Sequence, residues 1–412
     1  MRQGLRTHGT RCAATVAVLA GALMAPATSG AATPPPPEPA VTGAPPPPIQ
    51  GTPHAPPGLP CNVDGPAVDL GDASHYVPGR GTLRALVLFV DFSDAAAGSA
   101  NPEDVYNRLV PGAQSTLQRL SYGKFKLDAT PYLQWVRMPR PLSAYGFGSG
   151  NVVSWDRHQA FIADAVHAAD PGVDFSKYQA VYVVAGPGAQ VPVATMNLAP
   201  GRAFKLDGKR IAHAVTLDGY GTEAVSNAMA HETGHVLGLP DLYKLGTNDD
   251  WDRYAGAWDI MSDVWFGGPM LAWTRREVGW LGNRDFRCVR RTETVDLTPV
   301  SVRGGIKAAV VRIDRRNAYI VEARTDVPGP GCPTDGILIY RFNGRRHTGD
   351  GPIQVFDDQP GTGACGDHTG ALFGLASGER SRYRTRDGRV TVTLLRRGAR
   401  RFRVRIQVRR TR

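Results

Sequence analysis

Apolar and polar positions follow two regimes along this chain, and the change falls near Gly282. Before it, all-apolar runs alternate with stretches of helical period; after it, short strand-like segments succeed one another closely. The run over 83–92 predicts a strand buried on both faces. Apolar spacing at Val105, Leu109, Leu117 and Leu120 predicts a helix over 103–119, and a second helix is expected over 155–169. Another buried strand comes at 180–184. Segments 203–206 and 211–217 flank Asp207-Gly208, a pair suited to a tight hairpin turn. The later of these leads through a glycine-rich turn into a helix over about 222–237. Beyond Gly282, strands are expected at 293–297, 308–313, 318–322, 336–341, 390–395 and 402–408. The pattern predicts an α+β chain: a domain over 80–283 with a twisted mixed sheet and helices, then an all-β sandwich over 284–412.

The N-terminal end differs from both regimes. Arg2, Arg6 and Arg11 precede an apolar run over about 12–25 and small residues through Ala32, the layout of a secretory signal peptide over 1–32. The run is short for a membrane span, although an uncleaved anchor is the other reading. Proline dominates residues 33–60, which cannot bury enough apolar surface to fold alone, so 33–79 is expected to be a linker or short pro-segment. Export implies an oxidising setting. Once Cys12 leaves with the signal, four cysteines remain; Cys61–Cys288 and Cys332–Cys365 are the expected pairs among the three pairings possible. A Cys61 thiolate held on a metal to keep an enzyme latent is the competing use.

Charge adds one feature. The formal net charge of +11 falls to +8 without the three signal arginines, and the excess is arginine around 396–412. A solvated strand face is the simpler reading, contact with an anionic cell surface or polymer the other. Nothing resembles a nucleic-acid module, and no later segment is long and apolar enough to span a membrane. The expectation is a secreted, extracellular monomer, compatible with cell-wall association, with no nucleic-acid partner and no stable membrane insertion.

Candidate chemistry is concentrated on the helix over about 222–237. His231 and His235, four apart, share one helix face and can direct ring nitrogens at one ion, with Glu232 one step round. Gly238 sits where a helix ends in a left-handed residue, and the chain that turns back there brings Asp241 into position as a third ligand. Three ligands leave a zinc ion one position for water, and Glu232 would serve as the general base. A structural zinc site has no use for such a free carboxylate. Downstream, Gly256-Ala257-Trp258-Asp259-Ile260-Met261-Ser262 is a compact turn whose Met261 resembles the methionine beneath the zinc of metzincin peptidases. His213 lacks ligand spacing and reads as structural. Asp249, Asp250 and Asp252 are dense enough for Ca2+, with a solvated loop as the plainer reading.

At these residues the chain resembles a known family. HETGHVLGLPDLY, GAWDIMS and LAWTRREVGWL, with ALVLFVDFSD over 85–94 and LSYGKFKL over 120–127 upstream, are similar to the immune inhibitor A group of secreted bacterial metallopeptidases, metallopeptidase family six. AYIVEAR and GILIYRFN are similar to the region C-terminal to the catalytic domain in that group. The resemblance implies a metzincin-like fold and a Zn2+ endopeptidase acting on proteins or peptides. It carries over His231, His235 and Asp241 as ligands, Glu232 as base and Met261 as the turn methionine. The rival class is a non-catalytic secreted binding protein with a structural zinc site and a ligand-binding β domain.

Overall fold

Strand β1 (Gly81–Asp91) shows why its sequence lacks polar alternation. Leu83, Ala85, Val87 and Phe89 enter one apolar core and Leu86, Leu88 and Val90 enter another, so both faces of the strand are covered. Helix α1 (Pro102–Leu120) builds the first core. Asn101 caps it by accepting the Glu103 N–H, Pro102 occupies the first turn, and Val105, Leu109, Leu117 and Leu120 face inward as their spacing requires. Strand β2 (Phe125–Arg137) comes next, then a single turn, α2 (Leu142–Tyr145), and α3 (Trp155–Ala169), which covers the opposite face through Phe161, Ile162, Ala165 and Val166.

The computed structural model describes residues 60–64, 76–147, 154–198, 201–219, 223–245, 252–265, 269–325, 335–357, 371–375 and 380–409. Within them the first sheet is completed by β3 (Ala180–Ala185), β4 (Ala194–Asn197) and β7 (His213–Leu217), in the order β2-β1-β3-β7-β4. The first four run parallel; β4 is antiparallel to β7 and forms the edge. A small hairpin, β5 (Phe204–Leu206) and β6 (Lys209–Ile211), turns at Asp207 (φ 48°) and Gly208 (φ 71°), the doubly left-handed geometry expected of that dipeptide. The expected strand over 211–217 is in fact two: β6 ends at Ile211 in the hairpin, and β7 restarts at His213 in the large sheet. Helix α4 (Glu223–Val236) then packs against α1.

Past the short helix α5 (Ala272–Glu277) and one 3-10 turn (Asn283–Asp285), the elements among the described residues are strands: β8 (Phe286–Cys288), β9 (Glu293–Leu297), β10 (Ala308–Asp314), β11 (Asn317–Arg324), β12 (Gly336–Asn343), β13 (Ile353–Val355), β14 (Arg382–Arg384), β15 (Val390–Gly398) and β16 (Arg401–Val408). They form two sheets, β13-β12-β11-β10-β8 and β14-β15-β16-β9. Ala309, Val311, Val321 and Ile339 of one share a core with Val295, Val392, Phe402 and Val404 of the other. The alternate residues Val310, Ile320, Leu338 and Tyr340 join the core that also holds Trp273, Trp280 and α4. The middle sheet is thus buried on both faces, and apolar packing is continuous across the change of architecture near 283.

Cys61 and Cys288 are disulfide-bonded, with Cα atoms 5.4 Å apart, so Cys61 is not a metal thiolate. The Val77 N–H donates to the Val236 carbonyl and Trp280 Nε1 to Gly79. Residues 60–64 and 76–79, at the end of the expected linker or short pro-segment, are therefore docked on the fold. The expected signal peptide, Cys332, Cys365, Asp249 and Asp250 lie outside the described residues. Among the described residues, no helix is long and apolar enough to cross a membrane.

Candidate metal centre

Helix α4 ends in hydrogen bonding that fixes where Asp241 goes. The Leu239 N–H reaches back to the Gly234 carbonyl and the Gly238 N–H to that of His235, each 2.9 Å, with Gly238 at φ 91°. That is the double closure of a glycine-terminated helix, and an L side chain at Gly238 would be strained. The chain reverses, and Asp241 returns towards the helix face that carries His231 and His235.

Their ring orientations are set by fixed partners. His231 Nδ1 lies 2.8 Å from the Ile260 carbonyl and His235 Nδ1 2.7 Å from that of Leu239. A carbonyl only accepts, so each Nδ1 carries the hydrogen and each Nε2 offers a lone pair. The two Nε2 atoms are 3.1 Å apart, and Asp241 Oδ1 stands 3.3 Å from one and 3.0 Å from the other. Three acceptors this close repel unless a cation lies between them. A tetrahedral shell with bonds of about 2.0–2.1 Å has edges of about 3.3 Å, so the spacing fits a small divalent ion. Among the described residues this is the one cluster able to hold a metal, and Asp252 does not join another.

Glu232, the residue after His231 on the helix, is 1% exposed. Thr195, on the edge strand β4, places its hydroxyl 2.6 Å from Glu232 Oε2 and 2.8 Å from the Glu232 carbonyl; its one hydrogen serves one of them at a time. From the same strand Asn197 Nδ2 donates to the His235 carbonyl, while its Oδ1 accepts from His213 Nδ1 at 2.8 Å. His213 therefore braces β4 and lies outside the ligand set.

Met261 packs under the helix: a Cβ at Gly234 would collide with its sulfur. Its N–H donates to Asp259 Oδ1 at 2.9 Å, and its carbonyl accepts from the Leu242 N–H, one residue past Asp241. Burial raises the Asp259 carboxyl to about 6. The turn that holds Ile260 and Met261 thus supports His231 and the Asp241 segment at once.

The remaining support comes from the C-terminal half. Thr348, between β12 and β13, accepts the Asp241 N–H at 2.8 Å and donates to Asp241 Oδ2 at 3.2 Å. Thr195, Asn197 and Thr348 carried no signal in the sequence, being ordinary polar residues 37, 38 and 107 positions from their partners. No family model matches the chain, and no curated protein gives a significant match.

Proposed function

We propose that this protein is a secreted zinc endopeptidase of metzincin-like fold. The observation that carries the reading is the convergence of three acceptor atoms, two Nε2 and Asp241 Oδ1, at a helix that also carries the buried Glu232. His231, His235 and Asp241 would hold the zinc, which when bound supplies a Lewis acid and lowers the pKa of a coordinated water towards about 7. Glu232 accepts the proton of the attacking water and returns it to the leaving amine. Thr195 keeps that carboxylate aimed, and β4 offers backbone groups to an extended peptide that adds as a further strand. The antiparallel edge strand, the glycine-ended helix and the methionine under it support the metzincin-like assignment, as does the family resemblance of the sequence.

The test is casein hydrolysis by the purified protein, with and without a zinc chelator, beside Glu232→Gln. Chelation should abolish activity, and the variant should retain zinc while losing about 10²–10⁴-fold in rate. Full activity in Glu232→Gln removes Glu232 from the mechanism. A wild-type protein that binds zinc but cleaves nothing would favour the binding-protein class.

A further inference from the structure

Residues 380–412 contain fourteen arginines against one acidic residue, Asp387, so the other 379 residues carry a net charge of −2. The positive character of the whole chain therefore resides in this one segment. Its strands β14, β15 and β16, with β9, form the outer sheet, whose inner face is apolar and carries Tyr383, Val392, Val404 and Ile406.

The pairing register shows what the outer face carries. Arg382 stands opposite Thr393, Thr393 opposite Arg405, and Arg405 opposite Thr294, a row across all four strands. Arg384 lies two residues along from Arg382, and on the other side Arg396 faces Arg403 directly. Strand spacing puts Arg382 and Arg405 roughly 10 Å apart. The face has one carboxylate, Asp296, engaged by Arg403 through two contacts of 2.9 and 3.1 Å. Asp335 and Asp387 engage Arg397 and Arg389. Among the described residues no carboxylate forms an ion pair with Arg382, Arg384, Arg396 or Arg405, all of them exposed. Like charges directly opposite on neighbouring strands, as in Arg396 and Arg403, work against sheet stability.

The geometry points to this face as a docking surface for an anionic polysaccharide, a sugar polymer that bears sulfate or phosphate. Guanidinium forks match those groups two hydrogen bonds at a time, and the threonine hydroxyls between them suit sugar hydroxyls. Described aromatic rings of these strands point inward, Tyr383 stacking on Phe356, so the outer face has no platform for nucleic-acid bases. This surface is independent of the metal cluster, and it would hold the protein on an anionic matrix.

The test is retention of the purified protein on immobilised dextran sulfate, with uncharged dextran, single-stranded DNA and anionic phospholipid vesicles as parallel arms. The variant Arg382→Gln/Arg384→Gln/Arg396→Gln/Arg405→Gln is compared with Arg108→Gln/Lys126→Gln/Arg157→Gln/Lys205→Gln, an equal loss of charge from exposed positions in the other half. Dextran sulfate should bind the wild type in a salt-sensitive way; the face variant should weaken at least about tenfold and the control less than about twofold. An all-lysine version of the face, which keeps its charge, guards against misfolding and should retain measurable binding. Equal losses in the two glutamine variants would reduce the effect to net charge and overturn the proposal. So would tighter binding of DNA or vesicles than of dextran sulfate, or no binding of dextran sulfate at all.

Discussion

Two buried clusters of charge lie in one continuous apolar core, and they are finished differently. In the first, Glu322 receives Arg324 Nη1 at 2.8 Å, the Tyr340 hydroxyl at 2.8 Å and the Ala272 N–H at 2.9 Å, and Arg324 also donates to the Met270 carbonyl and lies over Trp258. Both charged side chains are fully buried, and every carboxylate oxygen has a donor. In the second, two Nε2 atoms and Asp241 Oδ1 converge to within 3.3 Å of one another. The first cluster is closed by the chain's own arginine; the second has the spacing of the ion we propose for it. Burial is common to both clusters; they differ in that one sets a cation against a carboxylate and the other brings three acceptor atoms together.

Breaking the closed cluster should have the larger effect on folding. Arg324→Met leaves Glu322 buried without its cation and is expected to cost about 3–5 kcal/mol, read as a fall in the denaturant midpoint. Adding Glu322→Gln should recover part of it. A loss below about 1 kcal/mol would mean that the neutral donors suffice. Asp259 stands between the two cases, since it receives the Met261 and Leu271 N–H groups rather than a cation. Its carboxyl is raised from 3.8 to about 6 by burial, so the folded state favours the protonated form. The stability this contributes is present below about pH 3.8 and is lost as pH rises through about 6. Asp259→Asn forfeits one acceptor and should be the less stable protein near pH 4. The gap should then narrow by roughly 2 kcal/mol by pH 7. A gap that does not change with pH would show that Asp259 does not titrate in this range.

How much of this was legible depends on chain distance. His231, Glu232, His235, Gly238 and Asp241 fall within eleven residues, so helical periodicity and one turn are enough to bring them together, and Met261 comes in the next compact segment. Thr195 and Thr348 reach the site through sheet pairing and a loop, which local pattern does not encode. The same holds for strands. β1, β3, β10 and β11 read as apolar runs, but β4 is four residues long, and the outer half of β2 carries Pro131 and Gln134 on a largely exposed edge. The hairpin at Asp207-Gly208 was visible because its turn chemistry is local; the break at Ala212 that sends β7 to another sheet was not.

The finest distinction between the clusters concerns who orients the ligands of the open one. Asp241 leaves the helix through Gly238, which fixes the backbone, but Thr348 holds both its N–H and its second carboxylate oxygen. Thr348→Val keeps the shape and removes both contacts. Outer contacts of this kind change metal affinity by about 10–100-fold, so chelator competition should show zinc bound that much more weakly, with Thr348→Ser restoring most of the affinity. The metal-free variant should melt close to the metal-free wild type, because the lost contacts orient Asp241 and are not part of the apolar core. Unchanged affinity in Thr348→Val would mean that the turn after Gly238 orients Asp241 unaided, and the C-terminal sheets would then bear on the site only through the core they share with α4. A loss confined to metal affinity would make the β region part of the metal centre, which explains why a sheet so far along the chain is packed on both faces rather than set apart as a separate module.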